Sequence, residues 1–431
     1  MKPFAKLTFA FILAVFPATA QAFCGFYVAR ADGNLYNEAS KVVYVRDGQK
    51  SVITMSSDYK GPAKEFAMIV PTPKVLKRAQ VRTVKPETIA HLDAYSAPRL
   101  VEYFDEDPCG PQIVYEPMVM EERSCGVLGC PKQEPIYRRA DALGVKIKAK
   151  YAVGDYDILI LQAKQSDGLE IFLRAEGYNV PDGATKVLQH YIKARMKFFV
   201  ARVNLKRFNA KKTQVLPPLQ ISFRSSKFML PIQLGKINAS GPQDLLLMTL
   251  TRKGRVETTN YQTKKLPTDI NVPSFVEKKF ADFYRATYDR KVGERGGIVM
   301  EYAWDMAWCD PCAADPLSRE ELLELGVTWL KKKGDNAGQD VFVTRLHARY
   351  DKTNFHEDLK FRITSDKTNF QGRYVMNQPF KGNVQCEAGR DYVKRMRLRL
   401  RQEALEVAKL TGWAPRKIEQ QIRATVPKSY W

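Results

Sequence analysis

Short runs of alternating or uninterrupted apolar residues fill most of the chain, and helical spacing takes over towards its end. In "KVVYVRDGQKSVITMSSDYKG", two β-branched and aromatic runs, Lys41–Val45 and Ser51–Met55, flank Asp47-Gly48. That dipeptide tolerates the positive φ of a tight turn, so the segment predicts a hairpin. "EFAMIVPTP" follows as a buried strand stopping at Pro71, and Pro86 suits the first residue of a short helix through Asp93. A second hairpin is predicted at "VKIKAKYAVGDYDILILQAK", with Val145–Ala149 alternating, Gly154-Asp155 turning and Asp157–Gln162 returning. "SDGLEIFLRAEGY" and "PDGATKVLQHYIKARM" carry helical spacing, the first closed by Gly177. "KFFVARVNL" returns to strand, and "LQISFRSSKFMLPIQL" opens a new strand series after Pro217-Pro218. "QDLLLMTLTRKGRVETTNYQ" reads as a third hairpin, turning at Lys253-Gly254.

After Pro273 the helical character rises. "SFVEKKFADFYRATYDR" puts Val276, Phe280 and Phe283 on one face, and "GIVMEYAWD" is a strand. "SREELLELGVTWLKK" begins with Ser318 and Glu321 at capping-box spacing, which satisfies free N–H groups of a first turn. "DVFVTRLHARY" and "DLKFRIT" are later strands. The last segment aligns Val393, Met396, Leu400, Ala404 and Val407 on one helical stripe, ended by Gly412, and Pro415 opens a second helix. Strands outnumber helices and come as hairpins. The pattern reads as α+β: antiparallel β-rich domains with short amphipathic helices and a helical C-terminal tail. The segments are 1–22, an N-terminal β-rich α+β domain at 23–216, a second α+β domain at 217–388 and a basic helical tail at 389–431.

The first segment reads as a secretory signal peptide. Lys2 and Lys6 charge its start, Leu7–Phe16 is apolar, and Ala20-Gln21-Ala22 offers the small residues signal peptidase reads, with cleavage after Ala22 or, alternatively, Ala20. The apolar stretch is shorter than the ~20 residues that span a bilayer, and no later segment is long and apolar enough either. The expected location is the periplasm or the exterior. With 45% hydrophobic residues the chain can bury real cores.

A formal charge of +22 would point a cytoplasmic protein towards nucleic acid. Export redirects it to lipid headgroups, lipopolysaccharide or wall polymers, and nucleic acid is not expected. The basic cluster is Lys394, Arg395, Arg397, Arg399 and Arg401, which surrounds the apolar stripe of the last long helix. Such a helix either lies on an anionic membrane or docks its stripe on the body and leaves its arginines in water.

All seven cysteines, Cys24, Cys109, Cys125, Cys130, Cys309, Cys312 and Cys386, fall after the cleavage point, and in an oxidising compartment they read as disulfide candidates. Cys125–Cys130 and Cys309–Cys312 are the pairs closest in sequence. Cys24, Cys109 and Cys386 would then supply one long-range bridge and one free thiol. Cys309-Asp310-Pro311-Cys312 has the spacing of a redox dithiol, which makes a thiol–disulfide oxidoreductase the alternative function. Against it, Asp305, Asp310 and Asp315 disfavour a thiolate, and Ser318 starts the next helix too late to help. Metal binding is poorly supplied: His91, His190, His347 and His356 have no partners at ligand spacing, and "HEDLK" has Lys360 where a zinc helix needs histidine. Asp105, Glu106 and Asp107 read as a solvated loop, with a Ca²⁺ site as the sharper alternative. No nucleophile elbow, phosphate loop or dinucleotide-binding turn occurs. The chain reads as a non-catalytic binding or structural module of the cell envelope, without a cofactor.

Several longer segments carry a resemblance. "FCGFYVARADGNLYNEASKVVYVRDGQKSVITMSSDYKGPAKEFAMIVPTP", "LDAYSAPRLVEYFDEDPC" and "GLEIFLRAEGYNVPDGATKVLQHYIKARMKFFVARV" are similar to domain of unknown function family 2330, a set of exported bacterial proteins. The likeness continues through "EYAWDMAWCDPC" and "FVTRLHARYDK" to "FQGRYVMNQPF" and Cys386. It implies that Cys309 and Cys312 belong to the family framework, and it implies no catalytic residues. The tail from Gly389 to Trp431 matches less clearly.

Overall fold

The computed structural model describes residues 26–30, 36–60, 66–110, 144–176, 178–180, 183–204, 206–208, 216–237, 241–293, 297–308, 310, 314–330 and 340–430. The segment 1–22 with its cleavage point, Cys24, the part of the Cys109–Pro135 loop that holds Cys125 and Cys130, Gly177, and Cys309, Pro311 and Cys312 lie outside them.

The first half of the chain forms β1 (Phe26–Arg30), β2 (Tyr36–Asp47), β3 (Lys50–Lys60), β4 (Phe66–Thr72), β5 (Val81–Thr83), α1 (Pro86–Ser96), β6 (Arg99–Phe104), β7 (Val145–Val153), β8 (Tyr156–Ala163), α2 (Ser166–Ala175), β9 (Tyr178–Asn179), α3 (Ala184–Lys193) and β10 (Lys197–Val203). The second half adds β11 (Leu219–Arg224), β12 (Met229–Leu230), β13 (Gln243–Thr251), β14 (Val256–Thr258), β15 (Thr263–Lys265), β16 (Ile270–Val272), α4 (Phe280–Val292), β17 (Ile298–Asp305), α5 (Arg319–Leu325), β18 (Phe342–Tyr350), β19 (Leu359–Ile363), β20 (Phe370–Gln371), β21 (Arg373–Gln378), α6 (Glu387–Thr411) and α7 (Pro415–Thr425). The α+β class stands. Helix α1 runs past Asp93 because Leu92 and Tyr95 extend its buried side.

Two large sheets pack face to face. One is six-stranded, in the order β7-β8-β10-β4-β1-β9; the other is nine-stranded, β15-β17-β18-β13-β2-β3-β11-β5, with β20 beside β17. Alternation along a strand sends successive side chains to opposite faces. On β2, Val42 and Tyr44 meet the six-stranded sheet, whereas Val43 and Val45 meet Leu92 and Leu322 beneath α1 and α5. On the far face of the six-stranded sheet, Ile69, Phe198 and Val200 are covered by Leu169, Phe172 and Leu188 from α2 and α3. The result is four layers, helix–sheet–sheet–helix. Beside them, α4, α6 and α7 share another core with a three-stranded parallel sheet, β16-β21-β6.

One expectation needs correcting. The first two hairpins form, as β2–β3 and β7–β8, but Gln243–Gln262 is not a hairpin. Strand β13 pairs β18 antiparallel and β2 in parallel, and β14 pairs β19 instead. The reason lies at Gly254, where φ is +154° and the backbone of 364–366 packs so close that a Cβ would sit 2.6 Å from the Thr364 carbonyl oxygen. Arg255 N then bonds Asp366 O at 3.0 Å, which carries the chain across to β19. The sheets are mostly antiparallel, as expected, and include the parallel pairs β13–β2 and β15–β17. The nine-stranded sheet draws β2, β3 and β5 from before residue 217 and its remaining strands from after it.

Candidate functional site

Helix α6 forms because Tyr392, Met396, Leu400, Ala404 and Val407 recur at helical spacing, and all are buried. Cys386 is its N-cap, the sulfur accepting from Gly389 N at 3.1 Å. The same sulfur is bonded to Cys109, 277 residues away, so a long-range bridge joins the start of α6 to the end of β6. Gly412 closes the helix at φ +74°, in the left-handed region where a side chain would be strained.

The opposite side faces outward. Lys394, Arg395, Arg397 and Arg401 are exposed there. Leu398, among them, is 67% exposed, and Leu405, one turn beyond Arg401, is 62% exposed, so aliphatic groups and cations share this face. Lys394 Nζ lies 3.0 Å from Asp391 Oδ1, and Arg397 donates to the Ser429 carbonyl at 3.0 Å. Arg395 and Arg401 make no ion pair among the described residues. Arg399 is placed differently from the other basic residues of the cluster. It flanks the buried stripe and turns inward, 2.8 Å from Asp105 Oδ2, and donates to the Asn377 carbonyl at 3.3 Å. Asp105 is therefore not simply a solvated loop carboxylate, because Tyr392 also donates to it at 2.6 Å. Beneath them Glu403 is 2% exposed, with Arg399 Nε at 3.4 Å. Burial pushes its carboxyl up to about 7; the Arg399 charge opposes that rise and Asp105 adds to it.

A second concentration of charge lies inside the fold. Alternation on β18 puts Arg345, His347 and Arg349 on one face, while β17 and β13 contribute Glu301 and Asp244. The signs alternate along a row from Lys41 to Asp289. Lys41 is 2.7 Å from Asp93, which pairs with Arg345; Arg345 Nε is 2.6 Å from Glu301. His347 then sits between Glu301 at 2.7 Å and Asp244 at 3.0 Å, and Arg349 links Asp244 at 2.7 Å to Asp289. Burial disfavours an imidazolium, but Glu301 and Asp244 overcome it and raise the His347 pKa. Burial likewise opposes the Glu301 carboxylate, yet the charges of His347 and Arg345 hold it down at about 2. Tyr288 stacks on the His347 ring at 3.9 Å. With both ring nitrogens against carboxylates, His347 stands as the cation between Glu301 and Asp244. The row clamps α1 and α4 onto the sheet.

Sequence reasoning weighed His347 only as a metal ligand and missed this row. The available signal was Arg-x-His-x-Arg alternation in one strand together with a lone glutamate inside the apolar run of β17. Among the described residues no group of His, Cys, Asp or Glu could hold a metal ion. Beside the Cys309/Cys312 pair, Asp310 is 9% exposed and accepts from Tyr302 Oη at 3.0 Å and Gln371 Nε2 at 2.8 Å. Asp310 is thereby held to β17 and β20, and no finding supports the oxidoreductase alternative.

A family model described as "Uncharacterized protein conserved in bacteria (DUF2330)" matches residues 18–362. The match stops short of Phe370–Phe380 and Cys386, which the resemblance read from the sequence includes. No curated protein and no solved structure matches the chain. No described helix is long and apolar enough to cross a membrane.

Proposed function

The chain belongs to the bacterial family DUF2330, and on that premise we propose that it is an exported, non-catalytic module of the cell envelope that rests on anionic surfaces. The observation that carries this reading is the outer face of α6, where Leu398 stands exposed among Lys394, Arg395, Arg397 and Arg401 and Leu405 stands exposed one turn further on. Leucines sharing a face with basic residues suit a bilayer interface, the aliphatic groups entering the acyl boundary and the cations meeting phosphates. The charge of +22, which is +20 once Lys2 and Lys6 leave with residues 1–22, draws the whole molecule to such a surface. Lys2, Lys6 and the apolar run before Ala22 support export.

The test is co-sedimentation of the chain lacking residues 1–22 with phosphatidylglycerol vesicles and with neutral phosphatidylcholine vesicles. Adsorption to the anionic vesicles alone is expected, weakening as salt rises to ~0.15 M and beyond. The double substitution Arg395→Glu and Arg401→Glu reduces it at least tenfold. Equal adsorption to neutral vesicles, or none to anionic vesicles at low salt, contradicts the proposal.

A further inference from the structure

Where β3 and β11 diverge from β4, the core between the two large sheets is incompletely filled and leaves a cavity of about 460 Å³. That size falls within the ~300–1,000 Å³ of small-molecule sites. Its floor is apolar, built from the buried side chains of Ile53, Met55, Val70, Ile221, Phe223 and Leu230. Its mouth is cationic. Lys74, Arg195, Arg224 and Lys227 stand exposed at the edge, and no aspartate or glutamate lines the space. None of these four makes an ion pair among the described residues. Like charges around one opening repel each other, and apolar walls focus their field on whatever enters.

Arg195 adds an independent observation. It has φ +58°, immediately after α3. Its N–H bonds Ile192 O at 2.9 Å and Met196 N bonds Tyr191 O at 3.0 Å, a helix closure that ordinarily takes glycine. An arginine in left-handed backbone at the rim of a cavity places a cation there at a conformational cost.

We propose that this cavity binds one long-chain amphipathic anion, its alkyl chain on the apolar floor and its carboxylate or phosphate head against Lys74, Arg195, Arg224 and Lys227. No residue of α6 lines the cavity, so this site and the adsorbing face can fail separately.

The test uses the full chain lacking residues 1–22, without vesicles, titrated with the fluorescent fatty acid cis-parinarate below its micelle-forming concentration. Palmitate, hexadecyl phosphate, hexadecanol and inorganic phosphate then compete. The expected result is saturable one-to-one binding, displaced at least tenfold better by palmitate or hexadecyl phosphate than by hexadecanol. The better of the two anions identifies the head group, and inorganic phosphate, having no chain, displaces nothing. Arg195→Gly relaxes the backbone, so its melting temperature stays level or rises while affinity for the anion falls several-fold. Arg224→Glu with Lys227→Glu lowers anion affinity at least tenfold and leaves hexadecanol unchanged. Absence of saturable binding, hexadecanol matching palmitate, or unchanged affinity in folded Arg195→Gly protein overturns the proposal.

Discussion

His347 holds one ring nitrogen against Glu301 and the other against Asp244, and Tyr288 covers its face. Removing it leaves two carboxylates deprived of the cation between them, and breaking a buried pair in this way costs about 3–5 kcal/mol. His347→Ala therefore lowers stability by that order in thermal or urea unfolding followed by circular dichroism. Lys41→Ala, at the partly exposed end of the same row, costs under ~1 kcal/mol. Equal losses in the two variants would mean that the row does not act as a clamp. The pH dependence follows from the two shifts. Glu301 has a lowered pKa, so its contribution is present above its ordinary value of 4.5 and is lost as pH falls towards about 2. His347 has a raised pKa, so its contribution is complete below 6.5 and is lost as pH rises through its folded value. Between pH 4.5 and 6.5 both contribute fully. Residue chemistry of this kind was only partly legible in the sequence. The alternation on β18 is visible, but nothing local to it says that Glu301 and Asp244 lie on the neighbouring strands, because pairing is decided at long range.

Helix α6 was legible as an element: its stripe, its glycine stop and the proline opening α7 all follow from spacing. Its anchoring was legible only in part: Cys109 and Cys386 were two of three candidates for the long-range bridge, whereas Asp105 lies far from Arg399 in sequence and meets it only in the fold. Gln243–Gln262 failed as a hairpin for a related reason. A Lys-Gly turn looks the same whether the chain folds back or crosses to another strand. Strand β13, buried on both faces, takes β2 and β18 as neighbours instead. The helix also carries a pH-dependent weakness. Glu403 has a raised pKa, so its neutral form is favoured in the fold, and stability is lost as pH rises from 4.5 through about 7. Glu403→Gln is expected to raise stability at pH 8 by about 1–3 kcal/mol and to leave it nearly unchanged at pH 4. A gain equal at both pH values would assign the effect to packing instead. Breaking the bridge with Cys386→Ser costs about 2–5 kcal/mol, and amide exchange in α6 should accelerate before exchange in β13 or β18 does.

At the scale of the whole molecule, four layers bury the large sheets, and a helical lobe, joined to β6 through Cys109 and Cys386, presents a basic face outward. The fold class was readable because strand-forming runs recur at short intervals. The order of strands was not, since it mixes segments from both halves of the chain in one sheet. Function in this account belongs to surfaces: one cationic and leucine-bearing, the other a cavity mouth with a cationic rim. Both readings put the protein in contact with anionic amphiphiles, and the proposed function adds that it meets them outside the cytoplasm. Peptide mapping of the protein recovered from fractionated cells, alkylated with and without reductant, tests that placement most directly. The account predicts a chain in the envelope or medium fraction that begins at Phe23, with the Cys109 and Cys386 peptides joined until reductant is added. An uncut chain in the cytoplasmic fraction, with Cys109 and Cys386 both free to alkylate, would contradict it.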